Sequence, residues 1–147
     1  MSKIRMITVH NNERAVDGCG EDYVLTIRPL EHRMDWRDRS GNALGKNRLT
    51  GSDFDTMLDE IKRWMLGAGP EDVTYYGQFK TQEEYAEWCA ALLCEDHEVL
   101  WDVQCEYTDG SCAVFVCADS RPFPAPFASA IQKVAIAAEY KEAANDA

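Results

Sequence analysis

The stretch VLWDVQCEYTDGSCAVFVCA, residues 99–118, constrains the fold more than any other part of the chain. Two apolar-rich alternating segments meet at Asp109-Gly110, and Asp-Gly between such segments is a strong signal for a tight β-hairpin. A two-residue type I′ loop predicts that Tyr107 faces Cys112, Cys105 faces Val114, Val103 faces Val116 and Trp101 faces Ala118. That register makes one face core and turns Asp102, Gln104, Glu106, Phe115 and Cys117 to the other, because side chains alternate along a strand.

The cysteines of this region raise the question of metal. A structural zinc site needs two close ligand pairs. Cys94 and His97 form one such pair, at the end of a helix, and no second pair follows. Cys89, Cys105 and Cys112 suit the small buried apolar role that reduced cysteine often fills. Cys19, in the loop DGCGED, has acidic neighbours that work against an activated thiolate. His32, Asp35 and Asp38 invite an acid–base reading, but on a strand His32 and Asp35 point to opposite faces. GNALGKN at 41–47 has three residues between its glycines and Asn47 after the lysine, so it lacks the phosphate-loop pattern. No cofactor or metal is expected.

The remaining chain predicts an α+β domain spanning 1–147, with an antiparallel or mixed sheet in the order βββ-α-β-α-ββ-α. Its three helices should pack mainly on one face. Strands are predicted at 4–9, 22–28 and 30–38, the last with Leu30, His32, Met34 and Trp36 on one side. A short strand near 43–49 completes a hairpin, and another strand is predicted at 72–79. A helix after Ser52, as N-cap, carries Phe54, Met57, Leu58, Ile61, Trp64 and Met65 inward. A second opens with a Thr81–Glu84 capping box and turns Tyr85, Trp88, Cys89 and Leu92 inward. A proline-rich connector at 121–126 leads to a last helix with Phe127, Ile131, Val134 and Ala138 inside. With 46% hydrophobic and 10% aromatic residues the chain has the material for a packed core. The N-terminus lacks a signal-like apolar run, which points to the cytoplasm and to reduced cysteines.

Charge carries the functional expectation. The net charge is −11, with nine Lys/Arg and seven Asp/Glu in residues 1–50, three and sixteen in 51–120, and three and three thereafter. An acidic middle disfavours nucleic acid and membrane surfaces and favours a basic protein or nucleoprotein partner. Glu83, Glu84, Glu87, Glu95, Asp96, Glu98, Asp102, Glu106 and Asp109 are expected to form one acidic surface, with Phe115 as an apolar anchor among them. Arg28, Arg33, Arg37, Arg39, Lys46 and Arg48, clustered in sequence around Trp36, form a second, diluted basic region.

Size, acidity and the lack of catalytic motifs suggest a non-enzymatic inhibitor that occludes a basic surface. Small phage or mobile-element anti-defence proteins, anti-CRISPR-like in character, and toxin-immunity proteins are of this kind, although no residue motif is shared with a family. The alternatives are a Cys/His-dependent enzyme or zinc protein using Cys19/His32 or Cys94/His97, and a structural assembly protein.

Overall fold

The computed structural model describes residues 3–11, 23–38, 40–46, 50–69, 71–94, 100–118 and 123–132. Seven strands form one antiparallel sheet among these residues: β1 (Ile4–Asn11), β2 (Tyr23–Arg28), β3 (Arg33–Asp38), β4 (Ala43–Lys46), β5 (Tyr75–Phe79), β6 (Trp101–Tyr107) and β7 (Cys112–Cys117). Their spatial order is β4-β3-β2-β1-β6-β7-β5. The first four strands thus form a meander. The C-terminal hairpin then joins β1 in the middle of the sheet, and β5 lies at the far edge. Helix α1 (Gly51–Gly67) and helix α2 (Gln82–Cys94) flank β5 in sequence, and a third helix, α3, covers 125–132. The chain is therefore α+β, as its element order predicts.

One face of the sheet holds the core. Ile7, Val9, Leu25, Ile27, Met34, Trp36, Trp101, Val103, Cys105, Ala113, Phe115 and Cys117 line it, and all are buried. Phe54, Met57, Leu58 and Ile61 come down from α1, and Phe127, Ala130 and Ile131 from α3. Trp64 joins the two layers. Its ring lies 5.2 Å from Phe115, 5.5 Å from Phe127 and 6.3 Å from Trp101. Two of the three helices therefore share this face. α2 crosses the other face over β5, where Phe79 meets Tyr85 at 5.8 Å and Trp88 at 5.4 Å.

The C-terminal hairpin departs from the expected register. Tyr107 N–H donates to Ser111 at 2.9 Å and Gly110 N–H to Tyr107 at 3.0 Å, so the loop is Thr108-Asp109-Gly110. A type I′ loop needs positive φ at both central residues, and here only Gly110 has it, at +88°. A type I turn closed by a left-handed glycine results, and Asp109 accepts from Ser111 N–H at 2.9 Å. The observed pairs are Trp101–Cys117, Val103–Phe115 and Cys105–Ala113. The one-residue slip turns β7 over. Phe115 and Cys117 enter the core, while Cys112, Val114 and Val116 lie on the face under α2. β7 tolerates this because both of its residue sets are apolar and both of its faces are covered. Replacing Gly110 with valine should cost about 1 kcal/mol or more, since a β-branched residue is strained at that φ; chemical denaturation reads the loss.

Two local expectations are also corrected. Pro29–Glu31 forms a short 3-10 turn, so β3 starts at Arg33 and Leu30 and His32 leave the alternating row. Leu30 is exposed, and His32 takes a left-handed φ of 48° with its ring stacked 5.0 Å from Phe54. The N-cap of α1 is Thr50, not Ser52; its hydroxyl donates to Asp53 at 2.9 Å. The α2 capping box forms as expected, with Glu84 N–H donating to Thr81 at 3.2 Å and Lys80 N–H donating to Glu84 at 3.0 Å.

Candidate functional site

The acidic residues fall into two groups that differ in chemistry. Glu83, Glu84 and Glu87 lie exposed on α2. Glu84 is engaged in the capping box. Glu83 and Glu87, one helical turn apart, have no ion pair among the described residues and point into solvent. The helix is held on the sheet by Tyr85 and Trp88 against Phe79. Gly77 makes that seat possible: a Cβ there would lie 2.6 Å from the Phe79 ring. Gly77→Ala should push the ring off its position and loosen α2, at about 1 kcal/mol or more. A lowered midpoint in denaturant, with faster amide exchange in α2, checks it.

Asp102 and Glu106 form the second group. They lie on β6, on the same sheet face as α2, but each is paired with a side chain of β1. His10 Nδ1 is 3.1 Å from Asp102 Oδ1, and Arg5 donates to Glu106 Oε1 at 2.9 Å. Their side chains are largely covered, at 17% and 20% exposure. The expected single acidic surface is therefore interrupted here. Asp109 is exposed but serves the hairpin turn, and Glu95, Asp96 and Glu98 lie outside the described residues. Phe115 is no surface anchor: it is 2% exposed, packed against Trp64 and Tyr76.

The hydrogen bond to Asp102 raises the His10 pKa above its ordinary value, against the opposing effect of burial. A raised folded-state pKa means the pair adds stability below the unfolded value of about 6.5, and that stability is lost as pH rises through the folded value. The His10 ring is 37% exposed, so solvent screens the effect and keeps it small. The thermal midpoint should therefore fall slightly between pH 6 and pH 8.5, and Asp102→Asn should flatten that slope; calorimetry across the range checks it.

The part of this face over β1, β2 and β3, which no described helix covers, is mostly polar. Thr8, Thr26, Arg28, Arg33, Asp35 and Arg37 share it by register, with Arg33 bonded to Asp35 at 3.1 Å. The basic residues expected around Trp36 are thus split from it. Arg28, Arg33 and Arg37 face outward, whereas Trp36 is buried in the core. Among the described residues this surface holds no aromatic stacking platform for nucleobases. Arg39, Arg48 and the Lys46 side chain lie outside the described residues.

The remaining candidates for chemistry are placed as follows. Cys105, Cys112 and Cys117 are buried free thiols, and burial pushes the Cys105 thiol up to about 11, so it is protonated and inert at neutral pH. Cys105 and Cys112 are on opposite faces, not diagonal neighbours, and Cys117 is in the core rather than on the polar side. Cys19, His97 and the side chains of Cys89 and Cys94 lie outside the described residues. No group of three metal-ligating side chains occurs among the described residues. His32 lies 3.8 Å from Asp55, not beside Asp35. A groove of about 430 Å³ opens at the hairpin end, between Gln78, Lys80, Tyr107 and Asp109. Burial pushes the Tyr107 phenol up to about 12, which keeps it neutral. No helix of the described chain is long and apolar enough to cross a membrane.

Sequence reasoning missed the partners of Asp102 and Glu106. They sit on β1, some ninety to one hundred residues away, and no local signal announces a β1–β6 pairing. No protein-family model matches the chain, and neither a curated protein nor a solved structure matches it significantly.

Proposed function

We propose that this is a small non-enzymatic binding protein that docks α2 onto a basic surface of a protein or nucleoprotein partner and occludes it. Such occlusion is how anti-defence inhibitors of the anti-CRISPR-like kind, and immunity proteins, act on their targets. The observation that carries this reading is the pair of exposed carboxylates, Glu83 and Glu87, without ion pairs among the described residues, on a helix fixed to the sheet by three aromatic rings. Unpaired acids on a rigid element present a potential that steers a basic partner and costs little entropy on docking. Exposed Glu71 and Asp72 add negative charge to the segment that leads into β5, the strand that α2 crosses.

The test is charge reversal. Glu83→Lys with Glu87→Lys should weaken retention of the captured partner by about tenfold or more at low salt, the scale expected for losing two charge contacts and adding two repulsive ones. Undiminished retention by the variant would reduce α2 to a solubilising surface.

A further inference from the structure

The tip of the β6–β7 hairpin combines a carboxylate, two donors aimed at it and a backbone nitrogen that carries no side chain beside it. Asp109 and Gly110 lie beyond Glu106–Cys112, the last pair of the ladder, and both are exposed. Ser111 directs its backbone N–H, at 2.9 Å, and its hydroxyl to the same atom, Asp109 Oδ1. The next nitrogen along the chain is that of Gly110. Among the described residues nothing lies within 4 Å of where a Cβ would stand on that glycine. An aspartate followed by glycine can close on itself, because the glycine nitrogen reaches the aspartyl Cγ with no side chain in the way. The product is a cyclic imide.

We propose that Asp109 is a site of spontaneous isomerisation to isoaspartate. In the first step a bond forms between the Gly110 nitrogen and Cγ of the protonated carboxyl. The carboxyl O–H and the proton of that nitrogen leave together as water. Charge that develops on Oδ1 as Cγ becomes tetrahedral falls on the two Ser111 donors, which are already in place to receive it. In the second step water adds to one of the two imide carbonyls and opens the ring. Addition at Cγ restores aspartate. Addition at the main-chain carbonyl leaves the backbone running through Cβ and Cγ, with the old main-chain carbonyl as a carboxylate. One contact holds the reaction back: Gly110 N–H donates to Tyr107 at 3.0 Å and must let go before the nitrogen turns to Cγ. That bond lies in an exposed turn, among the parts of a fold that open most readily.

Isomerisation adds one carbon to the backbone of the loop and takes the Ser111 donors off their acceptor. β6 lies against β1 and β7 against β5, so the hairpin is internal to the sheet. A loosened turn therefore reaches the core through Cys105 and Ala113, the buried pair nearest to it. The net charge is unchanged, which separates this site from acidic docking. Asp17-Gly18 is the other Asp-Gly pair in the sequence and lies outside the described residues.

The test holds the intact protein in heavy-oxygen water at pH 6, then digests it in ordinary water. Electron-transfer fragmentation in a mass spectrometer places the label and separates isoaspartate from aspartate at each residue. A synthetic peptide of residues 106–113 is incubated beside it. The proposal predicts heavy oxygen and isoaspartate at residue 109 of the folded protein. It also predicts labelling slower by about fivefold or more in folded Ser111→Ala, the scale of one lost hydrogen bond to a developing charge. Asp109→Glu, whose longer side chain closes a ring far less readily, should take up no label there. An unlabelled residue 109 in the folded protein, beside a labelled peptide, would overturn the proposal. So would labelling that rises only with the unfolded fraction as denaturant is added, or an equal rate in folded Ser111→Ala.

Discussion

Phe115→Ala should lower the unfolding free energy by about 3–5 kcal/mol, the usual cost of emptying a buried phenylalanine site. Phe115 is 2% exposed and sits where α1 meets the sheet, with Trp64 at 5.2 Å and Tyr76 at 5.1 Å. Removing the ring leaves a cavity between the helix layer and the β7–β5 pair. None of the facing groups can fill it, because Trp64 is also held by Trp101 and Phe127. Denaturant unfolding of the single variant reads the loss, and a cost within about 0.5 kcal/mol, the range of an exposed site, would contradict the burial of this ring.

Glu83 and Glu87 on α2 should separate cleanly from Asp102 and Glu106 on β6 when their charges are reversed. Glu83→Lys/Glu87→Lys should leave the thermal midpoint nearly unchanged, since both side chains are exposed and have no ion pair among the described residues. Asp102→Lys/Glu106→Lys should destabilise by about 1 kcal/mol or more, because each change breaks a partly covered pair and sets like charges against His10 and Arg5. Equal midpoints for the two double variants, measured at pH 6 where His10 carries charge, would mean that the β1–β6 ion pairs contribute nothing.

What was legible in the sequence was whatever local pattern encodes. Helix α1 announced itself through the spacing of Phe54, Met57, Leu58 and Ile61, all buried as predicted. The α2 capping box and its Tyr85–Trp88 stripe were equally readable, as were most strands. The hairpin register was not, for a physical reason. β7 buries both of its faces, so Cys112/Val114/Val116 and Ala113/Phe115/Cys117 fit the core equally well by pattern. Loop length then decides, and it turns on the φ of Asp109, which Asp-Gly alone leaves open. His32 escaped its row because the 3-10 turn that follows Pro29 ends on it. The candidate site was half legible. Exposure of Glu83 and Glu87 follows from the helix period, whereas the pairing of Asp102 and Glu106 with His10 and Arg5 depends on β1 lying beside β6 in the middle of the sheet, a long-range choice that local spacing does not encode.

The central claim is that this protein uses its acidic surface to bind a basic partner, and affinity capture from nuclease-treated extract tests it most directly. The tagged chain is presented at low and at moderate salt, and bound proteins are quantified by mass spectrometry. The account predicts a specific basic protein or nucleoprotein held at low salt and shed at moderate salt, as screening weakens exposed charge pairs. No specific partner at either salt, or one whose retention ignores salt, would contradict it.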